Sequence, residues 1–269
     1  MNNGDGGRYQ LQAEIETVSC GKDICTMTLT APAICRAARA GQFIMVRAAE
    51  PRSNDPLLRR PFSIHRVDGE RLTIVFKVVG RGTHMLACLQ ERERVDLFGP
   101  LGKGFRIADD SVHYLVGGGM GIAPLHMLAE CIRRSRPAAK IIALLGARNA
   151  GELEVFVSFM ALADMQVRIS TDDGSAGHHG FVTDLLTRAV PEHGAGAVYC
   201  CGPQPMMQAV ARYCRDQKLA CQVSLEAMMA CAVGACLGCA VKKTADDGDD
   251  GYVHVCKDGP VFAAEEIWR

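Results

Sequence analysis

Apolar and polar positions alternate through the first third of the chain. RYQLQAEIETV, ICTMTLTAP, GQFIMVRAA, PFSIHRV and RLTIVFKVVG change character at every residue and are rich in Val, Ile, Thr and Phe. A period of two with β-branched enrichment predicts strands, and several short ones separated by turn residues predict a small antiparallel barrel over residues 8–106. After GPLGKGF (Gly99 to Phe105) the rhythm changes. HYLVGGGMGIAPLHMLAECIRRS reads as strand, glycine turn and helix, KIIALLGARN and MQVRISTDDGS as two further strands, and GAVYCCGPQPMMQAVARYCRDQ again as strand, turn and helix. Strands alternating with helices predict an open parallel α/β sheet over 107–222. A short cysteine-rich module, 223–269, completes a multidomain β plus α/β chain.

Composition narrows this picture only by exclusion. The chain has 269 residues, more than one average domain, and is 48% hydrophobic, enough for real cores. Thirty basic and thirty acidic residues cancel, which argues against nucleic acid or an anionic membrane surface as partner. No apolar run reaches membrane-spanning length. The start, MNNGDGGRYQ, lacks the features of a signal peptide, and Met1 to Gly7 reads as a disordered leader. Thirteen cysteines, an odd number, suit a reducing cytoplasm better than a disulfide scaffold. The acidic stretch KKTADDGDDG reads as a solvated turn.

Four of those cysteines carry the strongest chemical signal. Cys231, Cys236 and Cys239 follow C-x4-C-x2-C, and sixteen residues separate Cys239 from Cys256. This is the plant-type spacing for a 2Fe–2S cluster, in which each iron takes two thiolates. Ala232, Gly234, Ala235, Leu237, Gly238 and Ala240 are small or apolar, so backbone N–H groups can approach the sulfurs. Structural zinc is the rival, but zinc sites usually pair two C-x2–4-C knuckles or add histidines, and only one C-x2-C occurs here.

Five further motifs read as nucleotide chemistry, each with a plainer alternative, which for the glycine run after the apolar strand is only a tight turn. In LLRRPFSIHRV, an arginine of the Arg59-Arg60 pair at a strand start can hold a phosphate, and Ser63 can face a flavin edge; an exposed basic pair is the alternative. In VFKVVGRGTHML, Gly80, Gly82 and Thr83 make a turn whose N–H groups can bind phosphate, or an ordinary loop. In LVGGGMGIAPL, Gly117, Gly118, Gly119 and Gly121 lie between an apolar strand and a helix, where backbone can approach a dinucleotide. In YCCGPQPMM, Cys201 ends a strand and Gly202 opens a turn at the ligand-binding edge of the sheet; Cys201 is otherwise a small buried hydrophobe. Asp172 and Asp173 end another strand, where they would bind ribose hydroxyls and repel a 2′-phosphate, or simply build an Asp-Gly turn. His178 and His179 read as exposed loop residues rather than ligands.

The order of these motifs resembles the ferredoxin–NADP reductase superfamily. With LLRRPFSI, GPLGKGF, GGGMGIAPL, TDDGS, CGPQPMM, SLEAMMAC and VCKDGPVF in succession, the chain is similar to the family of electron-transfer subunits of class 1B dihydroorotate dehydrogenase, from about residue 8 to 265. The resemblance implies FAD held by Arg60, Pro61, Phe62, Ser63, Val75, Phe76, Lys77, Gly82 and Thr83. It implies NAD at the α/β sheet with Cys201 near flavin and nicotinamide, and a 2Fe–2S cluster on Cys231, Cys236, Cys239 and Cys256. It also implies a separate FMN-containing catalytic subunit as partner, in a cytoplasmic heterotetramer of two of each. Electrons from dihydroorotate would then cross the cluster and FAD to NAD+, serving pyrimidine biosynthesis, and no residue here would act as acid or base on orotate. The family often has glycine after the first cluster ligand, where this chain has Ala232. Other readings are a flavin/iron–sulfur subunit of a glutamate synthase-like or sulfide dehydrogenase complex, a reductase for a soluble oxygenase, and a zinc-binding interaction protein.

Overall fold

The computed structural model describes residues 9–48, 53, 55–244 and 251–268. The leader at Met1 to Gly7 and the acidic DDGDD stretch lie outside the described residues. Eight elements form the first unit: β1 (Tyr9–Cys20), β2 (Ile24–Thr30), α1 (Pro32–Ala37), β3 (Phe43–Arg47), β4 (Arg60–Asp68), β5 (Arg71–Lys77), α2 (Arg81–Ala87) and β6 (Arg94–Leu101). Its strands close into an antiparallel barrel in the order β1-β2-β5-β4-β3-β6. The alternation along β2 puts Met27 and Leu29 in the interior, where they meet Ile44, Ile64, Leu72 and Ile74. Closure leaves no open sheet edge, and the barrel interior continues into the core of the following α/β unit through Leu115, Ile122 and Leu128.

The second unit runs β7 (Val112–Gly118), α3 (Leu125–Ser135), β8 (Lys140–Ala147), α4 (Val157–Met160), β9 (Met165–Thr171), β10 (His178–His179), α5 (Val182–His193), β11 (Ala197–Cys201), α6 (Gln204–Asp216) and β12 (Cys221–Ser224). β13 (Ala240–Lys242), β14 (Tyr252–His254), β15 (Val261–Ala263) and α7 (Ala264–Ile267) follow. The seven-stranded sheet has the order β10-β9-β8-β7-β11-β12-β15, parallel except for β15, which runs antiparallel to β12. β7 and β8 are buried along nearly their whole length, as central parallel strands covered on both faces must be. Strand order reverses between β7 and β11, which makes their C-terminal ends the crevice of the sheet.

The C-terminal stretch is built into both other units. β15 is the edge strand of the sheet, and the Gly259-Pro260 turn of KDGPVF docks on the end of the barrel. There Lys103 N–H donates to Gly259 O at 2.5 Å, and a side chain on Gly102 would strike Pro260 Cδ at 2.5 Å. A cysteine content that favours free thiols nevertheless yields one disulfide. The hairpin register sets Cys20 opposite Cys25, with Cα atoms 4.1 Å apart, and the two are bonded.

A buried histidine pins the barrel to the sheet unit. His65 on β4 is 3% exposed, its Nδ1 lies 2.8 Å from Ala123 O, and its ring meets that of His126 on α3 edge-on at 4.6 Å. Burial, then the neighbouring His126, lowers its pKa from 6.5 to about 4. A histidine held neutral when folded binds fewer protons than the unfolded chain between those two values. Stability should therefore be full above pH 6.5 and fall as pH drops toward 4, by on the order of 3 kcal/mol from this group. Denaturation midpoints for wild type and His65→Gln across that window check this: the variant should lose less, and parallel curves would refute it.

Candidate functional site

The cysteine loop connects β12 to β13. Cys231, Cys236 and Cys239 lie on it, and Cys256 lies two residues after the end of β14. Backbone donors converge on the first sulfur: Val233, Ala235 and Cys236 N–H approach Cys231 Sγ at 3.5, 3.3 and 3.3 Å. The turn that aims them has Ala232 at φ 58° and Gly234 at φ 82°. Left-handed backbone costs a side-chain-bearing residue about 1 kcal/mol or more, which is the physical reason glycine suits position 232. These donors pull the Cys231 thiol down to about 6, whereas burial, with Cys239 beside it, pushes Cys256 up to about 12. The thiols meet in two pairs, Cys231 with Cys236 and Cys239 with Cys256, and Cys256 N–H donates to Cys239 Sγ at 3.4 Å. Among the described residues no three His, Cys, Asp or Glu side chains gather closely enough for one metal ion. Two thiol pairs with donors already on sulfur form a donor set that fits two irons.

On the barrel, the two basic motifs come together and their residues separate in role. Arg59 is tied to Asp96, with Nε and an NH2 group donating to Oδ1 at 2.9 and 2.7 Å. Arg60 instead lies over the GRGT turn: a Cβ on Gly82 would stand 3.0 Å from its Nε. The Thr83 hydroxyl is spent inside that turn, accepting from Val79 and Gly80 N–H at 2.9 and 3.2 Å. One Arg60 NH2 group donates to Leu58 O at 2.5 Å, and what remains for a phosphate is the rest of the Arg60 guanidinium with the N–H groups of the first turn of α2. Phe62 packs against Phe76 with ring centroids 5.4 Å apart, Val75 and Phe76 are buried, and Pro61 and Ser63 are half-buried on β4.

A cleft of about 560 Å³ opens between barrel and sheet, a size suited to a small-molecule ligand. Gly118 and Gly119 form part of its wall, as do Pro203, Met206, Asp172 and, from the barrel, Ile24 and Lys77. The glycines are required by approach as well as by turning. A Cβ on Gly121 would stand 2.3 Å from Cys201 O, and one on Gly118 would stand 2.4 Å from Met206 Sδ, whereas Gly119 has φ 54° and open space. Gly117 lies against Ile122 and Leu125, and Gly202 against Gly118, so the turns after β7 and β11 touch. The Cys201 thiol is buried, and burial followed by the nearby Glu226 charge raises its pKa, which keeps it neutral.

The acidic pair divides as the arginines do. Asp172 lines the cleft, but Asp173 accepts from Ser175 N–H and hydroxyl at 2.9 and 2.6 Å and builds the turn. His178 sits 3.2 Å from Asp184 Oδ2, and His179 is exposed. Arg148, Glu152, Phe181 and Glu226 escape a reading of motifs. Arg148 has a detectable signal, since it follows a strand of the sheet directly; Phe181, 68% exposed, has only its exposure. Glu152 joins Lys77 of the barrel at 3.0 Å, and the Arg148 hydrogen bond is the first cause holding its carboxyl down at about 2.

Comparison with known proteins agrees with this layout. Residues 226–268 match the iron–sulfur cluster binding domain of dihydroorotate dehydrogenase B, and 115–212 match the oxidoreductase NAD-binding domain. The chain is 39% identical over 227 residues to the dihydroorotate dehydrogenase B (NAD(+)) electron transfer subunit of Caldanaerobacter subterraneus, covering 84% of this chain and 86% of that one. It is 38% identical to the corresponding subunit of Desulforamulus reducens over 90% of this chain and 92% of its relative. Among solved structures, an NADH-dependent reduced ferredoxin-NADP oxidoreductase superposes with a TM-score of 0.82 at 28% identity, covering 96% of this chain and 90% of the other. A ferredoxin NADP+ reductase from Neisseria gonorrhoeae, at 17% identity and TM-score 0.64 over 77% of this chain and 91% of that one, shares the fold.

Proposed function

Since this chain belongs to the family of dihydroorotate dehydrogenase B (NAD(+)) electron transfer subunits, we propose that it carries electrons from dihydroorotate, oxidised at a partner's FMN, to NAD+ in pyrimidine biosynthesis. The observation that carries this reading is the presence, in one chain, of two thiol pairs in the loop and strand pair that follow β12 and a cleft of about 560 Å³ between sheet and barrel. FAD and a 2Fe–2S cluster, when bound, supply the exchange between hydride pairs and single electrons. The protein's share is placement. The division is 8–106 for FAD, 107–222 for NAD and 223–269 for the cluster. Arg60, with the N–H groups of Gly82 and Thr83, would hold the FAD pyrophosphate. Pro61, Phe62, Ser63, Val75, Phe76 and Lys77 would line the flavin. Gly117, Gly118, Gly119, Gly121, Asp172, Cys201 and Gly202 would receive the nicotinamide nucleotide. Cys231, Cys236, Cys239 and Cys256 would ligate the cluster, with the Val233, Ala235 and Cys236 N–H groups steadying sulfur charge.

Exposed apolar side chains fringe the cysteine loop. Met228 is 91% exposed, Tyr252 67% and Leu237 59%, and each lies within a few residues of a cluster cysteine, which supports a protein partner docking there. Among the described residues no helix is long and apolar enough to cross a membrane. A cytoplasmic heterotetramer of two such chains with two FMN subunits is the assembly this reading requires.

Two measurements test it. Arg60→Ala should weaken FAD retention by roughly 1.5–3 kcal/mol, the worth of one charge-assisted hydrogen bond, read as FAD lost on dialysis; full retention, or release of FMN on heating, would count against the flavin site. The purified chain should pass electrons from NADH to artificial acceptors yet reduce no NAD+ with dihydroorotate until an FMN-containing subunit is added. Turnover of dihydroorotate by the isolated chain would sink the proposal.

A further inference from the structure

In an open α/β sheet, the end of the second strand of the nucleotide half stands beside the adenosine ribose. A carboxylate nearby accepts from the 2′-hydroxyl, and an arginine nearby receives a 2′-phosphate. Here the second strand is β8, and the residue directly after it is Arg148, on the cleft wall. By charge alone such an arginine invites NADP, against an NAD+-linked role.

Glu152 removes that conflict. It lies four residues on, and its side chain is only 13% exposed against 68% for Arg148. Arg148 Nε donates to Glu152 Oε1 at 3.0 Å, an NH2 group donates to the same oxygen, and Arg148 N–H donates to Oε2 at 3.2 Å. Asn149 Oδ1 accepts from Glu152 N–H at 3.2 Å, so the carboxylate is held by its own turn. Lys77 Nζ adds a contact to Oε1 at 3.0 Å and is itself shared with Asp23 at 3.0 Å. The two cations on the wall, Arg148 and Lys77, are thus balanced by its two carboxylates, Glu152 and Asp172, with Asp23 adding a contact to Lys77, so the wall carries no net positive charge. An ion pair as exposed at Arg148 adds little to folding stability, so its consequence falls on what the cleft will bind.

We propose that Glu152 is a specificity-determining residue which occupies Arg148 and so withholds it from a ribose 2′-phosphate, keeping the cleft selective for NAD(H). This rests on the cleft being the nucleotide site. Neutralising Glu152 frees a guanidinium with two aligned donors and shifts the wall by one positive charge, worth roughly 10- to 100-fold in favour of a 2′-phosphate.

The test uses the purified chain with FAD and cluster in place, and measures by calorimetry the ratio of dissociation constants for adenosine 2′,5′-bisphosphate and 5′-AMP. Glu152→Gln should shift that ratio toward the bisphosphate by about 10-fold or more, less so at high salt, and the Glu152→Gln/Arg148→Ala double variant should lose the gain. An unchanged ratio in Glu152→Gln, or an equal gain in the double variant, would overturn the proposal. Should Glu152→Gln fail to fold, Arg148→Ala decides alone. A nearly unchanged ratio there means that Arg148 is already occupied, and a fall of about 10-fold means that it already serves the phosphate and the proposal is wrong. If 5′-AMP does not bind wild type, or NADH does not compete with it, the cleft assignment itself fails and this inference falls with it.

Discussion

Cys236→Ser is expected to strip most of the iron and labile sulfide from the purified chain and to abolish its charge-transfer absorption in the visible. Cys236 is exposed, so the change costs little packing. On the proposed ligation it removes one of two thiols on one iron, and a serine hydroxyl is a poor substitute for a thiolate toward iron. Its N–H also donates to Cys231 Sγ at 3.3 Å, so disturbing this residue loosens the other member of its pair. Cys88→Ser, at an exposed cysteine on the barrel, should change none of the three readouts. Iron and sulfide at wild-type level in Cys236→Ser would refute the ligand assignment, and one zinc per chain in the native protein would point to the rival metal.

Gly121→Ala is expected to be the most damaging single methyl addition in the glycine turn after β7. The new Cβ would lie 2.3 Å from Cys201 O, 2.4 Å from Cys201 C and 2.5 Å from Gly202 Cα. All three are backbone atoms, so no rotamer change relieves the contact, and the turns after β7 and β11 must part. Overpacking of this kind costs roughly 1–3 kcal/mol, at the upper end or beyond where backbone is the obstacle. Because the two turns form the crevice, reduction of bound FAD by NADH should fall with stability. Gly119→Ala provides the contrast: φ is 54° but nothing lies within 4 Å, so it should cost only about 1–2 kcal/mol of left-handed strain. Denaturation midpoints for the two variants check the order. Equal losses would mean that backbone conformation, and not the close approach of β11, constrains this turn.

Several elements were legible because their cause is local. Alternation in ICTMTLT and RLTIVFK marks β2 and β5, since successive side chains on a strand face opposite ways whatever surrounds them. The run HYLVGGGMGIAPL marks β7, its glycine turn and the start of α3 for a similar reason. The cysteine spacing is itself a coordination pattern, and the three N–H groups on Cys231 follow from residues within five positions of it. Other matters could not be read this way. Arg59 and Arg60 are adjacent and chemically alike; only the position of Asp96, brought beside β4 through β3 and β6, reserves one for the barrel and leaves the other over the GRGT turn. Asp172 and Asp173 divide in the same manner, through Ser175. Hairpin register brings Cys20 to Cys25, and KDGPVF, legible only as a motif, proves to be where the C-terminal stretch grips both barrel and sheet.

By itself, then, the sequence determined five of the barrel's alternating strands, the strand–turn–helix segments of the sheet, the four thiols and the glycine turns, because period and spacing act over a few residues of backbone. The tertiary structure alone decided which charged side chain faces which. Lys77 and Glu152 stand 75 positions apart yet meet at 3.0 Å on the cleft wall. Whether an arginine such as Arg148 is free for a ligand or already occupied depends on the carboxylates that folding brings within hydrogen-bonding distance, and those distances are properties of the packed chain.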